Sequence, residues 1–131
     1  MERNQLRTLL YVDDEPDIRE IVEMALGLVD KLCVHTCASG ERALRVIPTL
    51  KPDLVLLDVM MPAMDGPTAL CRMRADPALA PHPVVFVTAK AMPQEVAHFR
   101  RLGAAGVIAK PFDPMALGQQ VLMIWERISD Q

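Results

Sequence analysis

Residues 54–62 read Leu54-Val55-Leu56-Leu57-Asp58-Val59-Met60-Met61-Pro62, so that four apolar residues run directly into a carboxylate. A short apolar run bounded by turn signals is typical of a strand that is buried on both faces, as in the centre of a parallel sheet. Asp58 would then lie at the carboxyl end of that strand, which is where open α/β sheets bind their ligands. The pattern therefore makes Asp58 the candidate chemical centre, with the rest of the chain placed around it.

The composition restricts the class of protein. The chain has 131 residues, of which 51% are hydrophobic, and this is enough for one domain with its own core. A net charge of -3 and an aromatic content of 4% give no case for direct binding to nucleic acid. No apolar run approaches the roughly 20 residues needed to cross a bilayer, and no signal peptide is recognisable. We expect a single cytoplasmic domain over residues 1–131 that does not bind membranes.

Cysteine and histidine, the common ligands of zinc, show no recognisable metal-binding spacing in this chain. An odd number of cysteines without a signal peptide predicts buried, reduced thiols at Cys33, Cys37 and Cys71. The histidines are interpreted as structural or exposed residues; they are His35, His82 and His98.

Apolar runs of strand length alternate with segments of helical periodicity. The predicted strands are Leu6–Val12, Leu32–Cys37, Leu54–Asp58, Val84–Val87 and Gly106–Ala109. A helix follows each strand, the third from about Pro67 to Arg74 and the fourth from about Pro93 to Leu102. This alternation predicts an α/β fold in which a doubly wound, five-stranded parallel sheet carries five helices on its two faces. Right-handed crossovers limit the strand order to a few possibilities.

Polar residues of complementary type stand at the ends of four of the five predicted strands. They are Asp13 and Asp14 for strand one, Asp58 for strand three, Thr88 for strand four and Lys110 for strand five. One acid at a strand end is usually a helix cap or a solvated turn residue. Because all the carboxyl ends of parallel strands lie at the same edge of the sheet, we expect these five side chains to converge there.

Such a cluster suits phosphoryl transfer. Neighbouring carboxylates raise each other's pKa, so three of them together are unfavourable unless a cation is bound, and a site of oxygen ligands alone suits Mg²⁺. The ammonium group of Lys110 and the hydroxyl of Thr88 can bind phosphoryl oxygens. A carboxylate can itself attack phosphorus, which would make Asp58 the nucleophile and an aspartyl phosphate the product.

Five motifs at the strand ends together resemble the receiver domain of two-component response regulators, and the resemblance covers almost the whole chain. They are Leu9-Leu10-Tyr11-Val12-Asp13-Asp14-Glu15, the stretch from Leu54 to Pro62, Met64-Asp65-Gly66, Val87-Thr88-Ala89 and Lys110-Pro111. The resemblance implies a flavodoxin-like sheet of order 2-1-3-4-5. It also implies that Asp58 accepts a phosphoryl group from a phosphohistidine on a sensor histidine kinase or a histidine phosphotransfer protein.

The same resemblance assigns a role to each site residue. Mg²⁺ would be held by Asp14, Asp58 and the backbone carbonyl of Met60, with Asp13 acting through a bound water. Thr88 and Lys110 would bind the phosphoryl oxygens, with a contribution from the backbone amide of Ala89. In the family the peptide bond before the proline that matches Pro111 is commonly cis.

One position departs from the family pattern. Receiver domains usually carry Tyr or Phe where this chain has Val107, and that ring swings inward when the threonine moves toward the phosphoryl group. In the family this changes the surface formed by helix four, strand five and helix five, which binds a downstream protein or output domain. Val107 cannot report phosphorylation by a large ring rotation, so we expect either transmission of the Thr88 movement through the backbone after strand four or a weaker or different output. A phosphorylation-dependent homodimer through the same surface is a further expectation.

Three other classes of protein share parts of this pattern. Haloacid dehalogenase-like phosphatases carry a second acid two residues after the nucleophile, where this chain has Met60. Flavodoxins cradle a phosphate with a first loop rich in Ser, Thr and Gly, whereas Asp13-Asp14-Glu15 would repel it. A pseudo-receiver that only docks proteins would not need Thr88 and Lys110 with the full acidic set. We therefore expect a signalling domain that promotes its own phosphorylation and dephosphorylation, and not an enzyme that turns over external substrates.

Overall fold

The computed structural model describes residues 5–130, in which five strands alternate with five helices. The strands are β1 (Thr8–Val12), β2 (Cys33–Cys37), β3 (Leu54–Asp58), β4 (Val84–Thr88) and β5 (Gly106–Ala109). The helices are α1 (Pro16–Gly27), α2 (Gly40–Leu50), α3 (Gly66–Ala75), α4 (Pro93–Arg101) and α5 (Pro114–Ser129). No helix in this described range is long and apolar enough to cross a membrane.

The five strands form one parallel sheet in the order β2-β1-β3-β4-β5, which confirms the predicted strand order. Leu10 pairs with Val55, and Val55 pairs in turn with Val84, so β3 lies in the centre of the sheet between β1 and β4. All five residues of β3 and all five of β4 are buried. The continuous apolar runs of the sequence are therefore explained by helices that cover both faces of the sheet.

The core consists of two apolar layers, one on each face of the sheet. On one face, Val55, Leu57 and Phe86 pack against α2, α3 and α4. On the other face, Leu54 and Leu56 pack against α1 and α5. The alternation of side chains along each strand assigns neighbouring residues to opposite layers, and the same alternation orients the polar residues at the strand ends.

The loop after β3 is fixed by a close backbone approach at Gly66. The amide of Gly66 donates a hydrogen bond to the carbonyl of Val59 at 2.9 Å. A Cβ atom at residue 66 would lie 2.7 Å from the carbonyl oxygen of Asp58, which is closer than such atoms pack. The side chain of Asp65 caps α3 by accepting a hydrogen bond from the amide of Thr68. These contacts hold the chain tightly behind Asp58.

Several local predictions were wrong in detail. Strand β1 begins at Thr8 and not at Leu6, and α4 ends at Arg101, which leaves Leu102 at the helix end with 41% of its surface exposed. Strand β4 extends one residue beyond its predicted end, so that it includes Thr88.

The cysteines are free, but their predicted burial was wrong. Cys33 and Cys71 are exposed, and Cys37 is only partly buried. Cys33 and Cys37 lie on β2, which is an edge strand and is therefore less covered than β3 and β4. Cys71 lies on α3 but is not among the residues that this helix buries.

Candidate functional site

The strand ends bring the predicted acidic residues together at the carboxyl edge of the sheet. Asp13, Asp14 and Asp58 each offer a carboxylate oxygen, and these oxygens lie within 4.8 Å of one another. The Nζ atom of Lys110 lies 3.0 Å from Oδ2 of Asp13 and 3.3 Å from Oδ1 of Asp58. The site therefore joins three acids and one ammonium group that are as much as 97 residues apart in the chain.

Asp58 is a buried acid with an altered affinity for protons. Its side chain is almost fully covered, and burial together with the negative charge of Asp13 raises its pKa from 3.8 to about 6. The ammonium group of Lys110 and a hydrogen bond from the backbone of Met60 act in the opposite direction. Ionisation of Asp58 is thus less favourable in the protein alone than in a solvated carboxyl group, which is the behaviour expected of an acid that is placed to meet a cation.

Asp13 is held by hydrogen bonds on both carboxylate oxygens. Oδ2 accepts a hydrogen bond from the hydroxyl of Tyr11 at 2.7 Å and another from Lys110, and Oδ1 accepts one from the amide of Glu15. The side chain is completely buried. Its orientation is therefore set by the protein, independently of any ligand.

Tyr11 is a site residue that the sequence analysis missed. Burial and the hydrogen bond to Asp13 raise the pKa of Tyr11, so its hydroxyl stays protonated and donates. A signal was present in the sequence, because residues two apart on a strand point to the same face and Tyr11 lies two residues before Asp13. The guanidinium of Arg19 also donates to the backbone carbonyl of Asp13 at 2.8 Å, which ties α1 to this loop.

Thr88 and Lys110 are linked through the backbone at the ends of β4 and β5. The amide of Lys110 donates to the carbonyl of Thr88 at 2.8 Å. The buried Thr88 hydroxyl oxygen accepts a hydrogen bond from the amide of Lys90, which leaves its hydrogen able to donate to another group. The Lys110-Pro111 peptide bond is cis, as the family resemblance implies.

The remaining predicted residues lie around this centre. Met60 is exposed beyond Asp58, and Ala89 is exposed directly after Thr88. Ala89 and Lys110 line a cavity of about 360 Å³ whose other walls come from α1 and from the segment that follows β5. Apolar side chains form most of these walls; they are Ile18, Ile21, Pro111, Phe112 and Pro114. The cavity is therefore an apolar surface beside Lys110 and Ala89.

Val107 lies on the face of β5 that packs against the layer formed by α2, α3 and α4. It pairs with Phe86 on β4 and is partly buried. The ring of Phe86 contacts that of Phe99 on α4 edge-to-face, with 5.0 Å between the ring centroids and an angle of 71°. Two aromatic rings therefore connect β4 to α4 beside the position where the family usually has its own ring.

Comparison with known proteins identifies the fold and its family. The sequence model of one protein family, the response regulator receiver domain, matches residues 9–122 of this chain. The chain is 33% identical to the phosphate regulon transcriptional regulatory protein PhoB of Pseudomonas aeruginosa, over 92% of this chain and 52% of that protein. It is 35% identical to the regulatory protein AtoC of Escherichia coli, over 82% of this chain and 23% of that protein.

Solved structures agree with this assignment. The chemotaxis response regulator CheY4 of Vibrio cholerae superposes with a TM-score of 0.82 at 28% identity, covering 92% of this chain and 99% of that one. The chain spans about half the length of the curated relative PhoB and about a quarter of AtoC. The chain belongs to the response regulator receiver domain family.

Proposed function

We propose that Asp58 accepts a phosphoryl group from a phosphohistidine of a sensor histidine kinase or a histidine phosphotransfer protein, in a reaction that depends on Mg²⁺. The observation that supports this most directly is the position of Lys110, whose Nζ lies 3.3 Å from Asp58 within a cluster of three acids. An ammonium group beside a nucleophilic carboxylate can neutralise the charge of an arriving phosphoryl group.

The donor set fits Mg²⁺, which prefers oxygen ligands and keeps several waters. Asp14, Asp58 and the backbone carbonyl of Met60 would bind the ion directly. Asp13 would act through water, because its two oxygens already accept three hydrogen bonds. When bound, the ion would neutralise the acids and the charge of the phosphoryl group.

The protein's own residues carry the rest of the reaction. A carboxylate oxygen of Asp58 forms the new bond to phosphorus, while the bond from phosphorus to the donor histidine breaks and its electron pair returns to the imidazole. Lys110, the hydroxyl of Thr88 and the amide of Ala89 would hold the phosphoryl oxygens. We expect the donor protein to approach over the apolar cavity beside Lys110.

The product would act as a signal. We infer that residues 1–131 form one cytoplasmic receiver domain that does not turn over external substrates. Its output would be a changed surface on α4, β5 and α5, which a downstream protein, an output domain or a second phosphorylated copy would bind. Thr88 lies at the end of β4, two residues after Phe86, and this supports transmission toward α4 through the strand and its ring pair.

Phosphorylation can be measured directly. The protein is incubated with Mg²⁺ and acetyl phosphate, and intact mass is recorded for the wild type, Asp58→Asn and the matched control Asp30→Asn, which changes an exposed acid elsewhere. We expect a gain of one phosphoryl group in the wild type and the control, and none in Asp58→Asn or after chelation of Mg²⁺. An undiminished gain in Asp58→Asn would contradict the proposal, and no gain in any protein would favour a domain that only docks partners.

A further inference from the structure

The edge strand β2 carries a thiol and an imidazole that are outside the acidic site. Cys33 and His35 are two residues apart, so their side chains lie on the same face of the sheet, and both are exposed. The Sγ atom of Cys33 lies 3.4 Å from Nε2 of His35. Both atoms are strong ligands for zinc.

The separation of these atoms matches two corners of a tetrahedral zinc site. With Zn–S of about 2.3 Å and Zn–N of about 2.0–2.1 Å, two such ligands are about 3.5 Å apart. Cys33 and His35 could therefore bind one ion without a change of the backbone. Binding would replace the thiol proton by the metal, so that one proton is released for each cysteine bound.

This pair is incomplete within one copy of the chain. In residues 5–130 the only group of three or more potential metal ligands is the acidic cluster around Asp58. A structural zinc ion has four ligands, and the missing two must come from elsewhere.

The two missing ligands could come from a second copy of the same strand, because one edge of β2 is exposed. Among the described strands, β2 is paired only with β1. The amide of Cys33 and the carbonyl of Cys37 bond toward β1, so the backbone groups of the alternate residues Val34 and Thr36 point outward. The strand has no charged residue and no proline, which are the usual features that prevent pairing at a sheet edge.

We propose that Cys33 and His35 form half of a zinc site that a second copy of this chain completes through antiparallel pairing of the two β2 strands. With the two-fold axis at Val34, the outward groups of Val34 exchange both hydrogen bonds with their counterparts. Cys33 then lies directly opposite His35 of the second copy, and His35 opposite Cys33, on one face of a continuous sheet. Directly opposite side chains have Cβ atoms about 4.5–5.5 Å apart, which places two thiolates and two imidazoles around one ion.

Co²⁺ and Zn²⁺ test this proposal on the full chain. Excess Mg²⁺ is present throughout, because it competes for the acidic site and binds thiolate poorly. Co²⁺ is titrated while the thiolate charge-transfer absorbance is recorded, and molar mass is measured by light scattering with Zn²⁺ and with chelator. We expect one ion for every two chains, and a dimer that reverts to monomer when the metal is removed.

Variants identify the ligands. Cys33→Ser and His35→Gln change exposed side chains, and folding is checked by circular dichroism. We expect both to remain monomeric with Zn²⁺, whereas the controls Cys71→Ser and His98→Gln, which change an exposed thiol and an exposed imidazole elsewhere, dimerise as the wild type does. A monomer that binds one ion per chain, an absence of thiolate-bound metal, or a dimer that persists in His35→Gln would each overturn the proposal.

Discussion

Asp58 opposes folding when it is ionised and no cation is bound. Its pKa is raised from 3.8 to about 6 in the folded chain, so between these values the folded state binds more protons than the unfolded state. The free energy of unfolding therefore falls as the pH rises through this range, and it stays low above it. The side chain that we propose as the nucleophile is thus a source of instability at neutral pH.

We expect Asp58→Asn to stabilise the metal-free protein at pH 7.5 more than at pH 4.5. The asparagine side chain does not titrate, so the variant lacks the loss of stability that the wild type suffers with rising pH. Urea unfolding in chelator at the two pH values measures the difference, with Asp30→Asn as the control. An equal effect of Asp58→Asn at both pH values would show that the raised pKa of Asp58 does not govern stability.

The residues that bear charge at the strand ends were predictable from the sequence, because the topology of a parallel sheet alone brings Asp13, Asp58 and Lys110 to one edge. The hydrogen bond from Tyr11 to Asp13 was not predicted, although strand alternation would have allowed it. The exposure of Cys33 and its contact with His35 depend on which strand forms the edge of the sheet, and single-strand patterns do not contain that information.

The loop between β3 and α3 requires glycine at residue 66. A methyl group there would press on the backbone of Asp58 and Val59, which cannot move aside as a flexible side chain could. We expect Gly66→Ala to lower the free energy of unfolding by about 1–3 kcal/mol, as overpacking commonly does, and to slow phosphorylation by displacing Asp58.

Gly27→Ala is the matched control for this substitution, because a Cβ atom at residue 27 would meet nothing within 4 Å. Urea unfolding and the rate of mass gain with acetyl phosphate are measured for both variants. Equal free energies of unfolding for Gly66→Ala and Gly27→Ala would mean that a methyl group at residue 66 causes no overpacking.

The boundaries of helices and strands were predicted less well than their order. The alternation of apolar runs was sufficient for the parallel sheet, since buried strands and amphipathic helices have distinct periodicities. The end of α4 was misplaced because Leu102 fits the apolar spacing of the helix, yet the chain turns at Gly103, which has a φ of 112°. Only the packed structure shows that this leucine lies outside the core.

At the scale of the whole molecule, Val107 stands where receiver domains usually have an aromatic ring, and we expect this difference to affect the output more than the phosphorylation of Asp58. We expect Val107→Tyr to change affinity for a downstream partner more than the rate of phosphorylation, because residue 107 pairs with Phe86 and packs against an apolar layer. Val107→Leu controls for size. The rate of phosphorylation by acetyl phosphate and the affinity of each phosphorylated protein for a downstream partner are compared. Equal partner affinity of the wild type and Val107→Tyr would count against a role of residue 107 in the output.

The two apolar layers have a kinetic consequence. The cavity beside Lys110 lies on the side of α1 and α5, whereas Val107 and the ring pair of Phe86 and Phe99 lie on the side of α4. A donor bound at the first surface and a reader that contacts mainly α4 and β5 need not displace one another, whereas a reader that also covers the start of α5 would compete with the donor at Pro114. A reader of the first kind would act as a noncompetitive ligand toward the donor, and the signal could be read before the donor has left.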